Sequence, residues 1–193
     1  KLLKETASRL RRSTDRAIIG LFGGNLLESG QMLYRNDQFL LMLAMDPPGV
    51  HDFLDRLLEI HMANLDRFLS AVGNNIDIIL FGDDLGMQSG PQMSPEMYRE
   101  YFKPRHQIMW TRAKELADVK VMLHCCGGVR ELLPDLIDAG LDTINPVQTT
   151  ARGMEPEQLK QDFGKEIVFW GGGCDTQHVL PEGNPQEVYD HVQ

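Results

Sequence analysis

Apolar residues fall along this chain in two alternating rhythms. Unbroken apolar runs form the first: Ala17-Ile18-Ile19-Gly20-Leu21-Phe22, Ile76-Asp77-Ile78-Ile79-Leu80-Phe81, Val119-Lys120-Val121-Met122-Leu123, Thr143-Ile144-Asn145 and Ile167-Val168-Phe169-Trp170. They are short and rich in β-branched or aromatic side chains, which predicts strands buried on both faces. Between them, apolar positions recur at helical period. One helix is predicted over Asp37 to Met45, stopped by Pro47-Pro48. The next spans Pro48 to Val72, with Phe53, Leu57, Ile60, Leu65, Phe68 and Leu69 near one face and Gly73 as its stop. Ser94-Pro95-Glu96 combines an N-cap, a proline at the first helical position and an acid in the first turn. It opens a helix predicted to reach about Ala117, bent near Pro104. Further helices are predicted over Arg130 to Ala139, from Glu155 to near Gly164, and from Asn184 onward.

The later strands begin at Val119, Thr143 and Ile167, with one helix after each of the first two. That is the spacing of repeated βα units, hence an α/β fold with a parallel sheet and helical crossovers. A (β/α)8 TIM barrel and an open doubly wound sheet both fit. No Gly-x-Gly-x-x-Gly follows a strand to favour a dinucleotide site. Polar and metal-capable residues gather instead at the C-terminal ends of several strands, where a barrel carries its active site. No repeat, low-complexity tract or linker divides residues 1–193, so one barrel-like domain is expected. Five strands are visible where a barrel needs eight in about 250 residues. The expectation is a partial barrel, incomplete at both ends.

Charge narrows the partners. Of 193 residues, 19 are Lys or Arg and 28 Asp or Glu, a net charge of −9. This balance argues against a nucleic-acid surface, which needs clustered Lys and Arg. The one basic cluster, Arg9, Arg11, Arg12 and Arg16, reads as a solvated helix face. No apolar run approaches the roughly 18–20 residues of a membrane span, and no secretory signal is visible. Three cysteines cannot build a disulfide framework. A reducing, cytoplasmic setting and a metal or redox role follow as expectations.

The chemistry centres on His124, Cys126 and Cys174. Alternate side chains of a strand share a face, so His124 and Cys126 point one way at the strand's C-terminal end while Cys125 points the other. Cys174 follows three glycines that would let backbone approach a buried centre. One imidazole and two thiolates suit Zn2+ with a fourth position open for substrate or water. The competing readings are cysteines buried as small apolar groups and a vicinal Cys125–Cys126 disulfide. Asp83 and Asp84 end the second strand and are expected at the rim, as the catalytic candidates for polar recognition or proton handling. Alternation admits only one of them inward. Asn145, Gln148 and Asp175 are candidates for contact with substrate or for orienting the ligands.

The stretch from Ile78 to Val188 resembles the uroporphyrinogen decarboxylase superfamily. The resemblance rests on Gly82-Asp83-Asp84-Leu85-Gly86, Ser94-Pro95-Glu96-Met97-Tyr98-Arg99, Lys103-Pro104 and His124-Cys125-Cys126-Gly127-Gly128. It continues through Leu133-Pro134-Asp135-Leu136-Ile137, Asn145-Pro146-Val147-Gln148, Gly153-Met154 and Gly171-Gly172-Gly173-Cys174-Asp175. It is strongest toward the zinc-dependent, corrinoid-linked methyltransferases of the methylcobamide:coenzyme M type. That branch implies a (β/α)8 barrel and zinc on His124, Cys126 and Cys174. It also implies methyl transfer between a corrinoid, carried by a separate corrinoid protein, and a small thiol or similar acceptor. Where several members carry an acid, this chain has Asn145-Pro146-Val147-Gln148. The alternatives are a tetrapyrrole carboxy-lyase, whose N-terminal Arg and Asp residues have no recognisable counterpart here, and a corrinoid- or metal-binding accessory protein without turnover.

Overall fold

A computed structural model describes residues 1–192. Its elements run α1 (Leu2–Ser13), β1 (Ile19–Gly23), α2 (Leu27–Tyr34), α3 (Asn36–Met45), α4 (Pro47–Val72) and β2 (Ile78–Gly82). A small hairpin follows, β3 (Gly86–Met87) and β4 (Gly90–Pro91), then α5 (Pro95–Met97), α6 (Lys103–Leu116) and β5 (Lys120–His124). The rest is α7 (Leu133–Asp138), β6 (Thr143–Asn145), α8 (Pro156–Phe163), β7 (Val168–Phe169), α9 (Val179–Glu182) and α10 (Pro185–Val192).

The main sheet has five parallel strands in the order β1-β2-β5-β6-β7. Apart from the hairpin, spatial order equals chain order. A doubly wound sheet would reverse direction at a switch point. This unbroken progression is that of a partial TIM barrel, and it decides between the two folds left open by the sequence.

Strand register separates two faces. Leu21, Leu80, Met122, Thr143 and Val168 lie side by side in one row across all five strands. Gly82, His124 and Asn145 form a second row on the same face, at the C-terminal end. The opposite face carries Gly20, Ile79 and Val121 in one row and Phe81, Leu123, Ile144 and Phe169 in the next. That face is sealed: Ile79, Val121, Leu123 and Ile144 are fully buried.

Several expectations shift in detail. The fifth apolar run pairs only over Val168–Phe169, and Trp170 leaves the strand half-exposed. In α4 the fully buried stripe is Val50, Leu54, Leu65, Leu69 and Val72, while Ile60 faces solvent. Where a bend near Pro104 was expected, the helix takes a wider turn. Residues Tyr98–Phe102 form a π-helix, and Lys103 N–H reaches back to the carbonyl of Tyr98. A proline clashes with the carbonyl four residues before it, and the extra residue in this turn relieves the clash. Ser94 caps the start as predicted, accepting from Met97 N–H.

Candidate metal centre

Three ligand atoms meet at the C-terminal end of the sheet. Asp84, His124 and Cys126 each place one donor within 4.8 Å of the others. His124 is the last residue of β5, and Cys126 projects to the same side two residues on. Their Nε2 and Sγ atoms are 3.6 Å apart. Asp84 arrives from the loop after β2, and its Oδ1 accepts the Cys126 N–H at 2.7 Å. Glycine makes this meeting possible. Gly127 has φ +83, and a side chain on it would collide with the backbone of Gly86 and Met87. A side chain on Gly86 would in turn strike the carbonyl of Cys126. The β3–β4 hairpin thus presses directly on the loop that presents Cys126.

Burial and the negative charges of Asp84 and Glu28 push the Cys126 thiol above its ordinary range. Glu28 is tied in as well, accepting the Asp84 N–H at 3.2 Å. The group therefore favours a cation, which would hold Cys126 as thiolate. The geometry fits zinc: bonds of about 2.05 Å to nitrogen and 2.3 Å to sulfur at a tetrahedral angle put the two atoms ~3.6 Å apart.

The remaining candidates fall in different places. Cys174, expected to converge with His124 and Cys126, is not one of these three grouped residues. Asp84 occupies the third corner. The Cys174 sulfur lies instead 3.8 Å from the Asp175 carbonyl, on a loop whose Gly171 and Gly172 have φ +124 and +81. All three cysteines are free thiols, so no Cys125–Cys126 disulfide forms. Cys125 is buried on the helix side, its sulfur accepting from Leu85 N–H at 3.2 Å. Burial raises its thiol pKa far above the usual range.

Asp83 was expected at the rim and is instead wholly enclosed, at 0% exposure. Its carboxylate accepts N–H bonds from Leu26, Leu27 and Glu28, which caps α2. His106 Nε2 lies 3.5 Å away, stacked on Trp110 and bonded to Tyr98. Asn145 sits beside the group, its Oδ1 2.9 Å from His124 Nδ1. Gln148 braces a loop, its Oε1 accepting from Gly127 N–H and its amide donating to Gln88. Asp175 holds its own turn through Gln177 N–H, His178 N–H and the His178 ring. Glu28 escaped notice in the sequence because nothing local ties α2 to the loop after β2. A cleft of about 290 Å3 opens beside Asp84, lined by Glu28, Gln31, Met32, Asn36, Gly86 and Gln92.

The uroporphyrinogen decarboxylase (URO-D) family model matches residues 1–193. The chain belongs to the uroporphyrinogen decarboxylase family. Among solved structures it is similar to a methyltransferase from Methanosarcina mazei, with TM-score 0.62 and 18% identity. The match covers 98% of this chain and 61% of the methyltransferase. At that identity the likeness concerns the fold. No curated protein matches the sequence. Family membership agrees with the parallel βα progression and with a site at the C-terminal strand ends. Among the described residues, no helix is long and apolar enough to cross a membrane.

Proposed function

We propose that this chain carries the zinc centre of a methyltransferase that moves a methyl group between a corrinoid and a thiol or similar acceptor. The observation that carries the reading is the 3.6 Å approach of His124 Nε2 to Cys126 Sγ with Asp84 beside them. His124, Cys126 and Asp84 would hold the ion, and Cys174 is the candidate for the remaining position. Bound zinc would act as Lewis acid and template, keeping an acceptor thiol ionised. The residues themselves set the conditions. Asp84 fixes the Cys126 backbone through its N–H. Glu28 holds the Asp84 loop, and Gln92 donates to the Asp84 carbonyl. The cleft beside Asp84 has room for a small acceptor.

The carboxy-lyase reading has less support. A tetrapyrrole bearing several carboxylates needs cations facing it. On the open face of the described strands the base is Lys120, four residues and ~13 Å from His124 along β5. An accessory role without turnover would share the zinc centre and differ only in the absence of methyl loss.

Metal analysis of the purified protein tests the proposal. One zinc per chain is expected, with loss of that zinc in Cys126→Ala and in Asp84→Asn. Binding of a methylcorrinoid should then be followed by methyl loss to a thiol. A wild-type protein that takes up no zinc, or variants that retain it fully, would overturn the reading. Zinc and corrinoid binding without methyl loss would leave the accessory role.

A further inference from the structure

We propose that Asn145 is a positioning residue that fixes which nitrogen of His124 carries the proton and ties that ring to the loop bearing Cys174. The first half follows from hydrogen-bond polarity. Asn145 ends β6 in register with His124 at the end of β5, so the two side chains share the open face. Asn145 Nδ2 lies 3.1 Å from the carbonyl oxygen of Trp170. A carbonyl can only accept, so this contact settles which end of the Asn145 amide is nitrogen. Oδ1 therefore faces His124 Nδ1, at 2.9 Å. That oxygen can only accept as well, so Nδ1 carries the proton. A neutral imidazole has a single N–H, which leaves Nε2 bare and its lone pair directed to the Cys126 side, 3.6 Å from Sγ.

The backbone makes the arrangement stiff. Cys125 N–H donates to the Asn145 carbonyl at 2.7 Å, and Trp170 N–H donates to the Ile144 carbonyl at 2.9 Å. The amide thus spans three adjacent strand ends. Trp170 is also the residue just before Gly171-Gly172-Gly173-Cys174. One side chain consequently holds the His124 ring on one side and the root of the Cys174 loop on the other. Histidines that bind metal are commonly oriented by an acceptor on their second nitrogen. Here an uncharged amide supplies it, where a carboxylate would add another negative charge beside Asp84 and Glu28.

The proton assignment stands without a metal, whereas its value for affinity rests on the zinc reading. Two measurements keep them apart. The first uses 15N-histidine-labelled protein, stripped with a chelator and held at alkaline pH. Long-range proton–nitrogen correlation then reports the protonated nitrogen. Wild type should show Nδ1–H at His124. Asn145→Ala should shift the ring toward Nε2–H. Asn145→Asp, which keeps an oxygen for Nδ1 but sets one against the Trp170 carbonyl, should retain Nδ1–H. The second is zinc competition with a chromophoric chelator. Asn145→Ala should weaken binding by about 10–100-fold, and Asn145→Asp by less. Wild-type Nε2–H, or an Asn145→Ala spectrum identical to wild type, overturns the assignment. Correct tautomers with no zinc uptake in wild type would sink the metal reading and leave Asn145 in its role. The wild-type spectrum alone decides the central point if a variant does not fold.

Discussion

The two faces of the sheet are built from the same few strands and do opposite work. Under the helices, Val121, Leu123, Cys125 and Ile144 are fully buried. On the other face the edge strands expose Leu21 at 73% and Val168 at 57%, Met122 and Thr143 between them are buried, and the strand ends hold His124 and Asn145. Because a strand turns alternate side chains to opposite sides, neighbours in sequence divide between packing and chemistry. Cys125 and Cys126 are one such pair. Asp83 and Asp84 are another: Asp83 is sealed against α2, and Asp84 stands beside His124 and Cys126 at the candidate metal centre. Identical residue types therefore have different fates, and adjacent substitutions test the division directly.

Cys126→Ala is expected to abolish zinc binding, the largest effect here, since metal held by a folded site contributes on the order of 10 kcal/mol. Cys125→Ser should leave zinc stoichiometry unchanged. It buries a hydroxyl where a weakly polar sulfur sat, at about 1–3 kcal/mol of stability. Zinc analysis beside denaturant unfolding separates the two outcomes. Equal zinc loss in both variants would break the comparison.

Packing comes next. Leu123→Ala removes a fully buried side chain on the helix side and should cost about 2–5 kcal/mol. Leu21→Ala, on the open side, should stay within about 0.5 kcal/mol. A substantial loss at Leu21 would mean that this face is covered in the protein as measured. The carboxylate pair follows. Asp83→Ala strands three buried N–H groups of α2 and should cost on the order of 3 kcal/mol with zinc retained. Asp84→Asn should do the reverse, losing zinc with little change in the stability of the metal-free protein.

The sheet and most helices were legible because their apolar periods are local. So was the division of β5, where alternation alone separates His124 and Cys126 from Cys125. Helix α2 was not legible: its cap is Asp83, more than fifty residues downstream, and no local motif announces it. For the same reason Asp83 read as a rim group and Glu28 as nothing at all. Cys174 was drawn toward the centre by its spacing and its glycines. Asp84 escaped the spacing argument because it reaches His124 and Cys126 through a bond to the Cys126 N–H that only the fold brings about. The barrel order needed the sheet itself, since identical βα spacing serves both parallel architectures.

The smallest expected effect concerns the other end of the sheet. Just before β2, Asp77 accepts the Ile18 N–H at 2.7 Å and pairs with Arg11 of α1. The Ile18 N–H and then the Arg11 guanidinium hold its carboxyl below the ordinary aspartate range of 3.8. A carboxylate whose pKa is lowered on folding adds stability above its unfolded pKa and loses it as pH falls through the folded value. The Asp77 contribution should therefore be whole above about pH 4 and fade below it. Because the pair is partly exposed, screening by solvent and salt keeps that contribution small. Asp77→Asn should flatten a measurable part of the acid limb of stability against pH while leaving zinc binding at pH 7 untouched. Zinc loss in that variant would show that the two ends of the sheet are coupled, and the separation of packing from chemistry would then fail along the strands as well as across them.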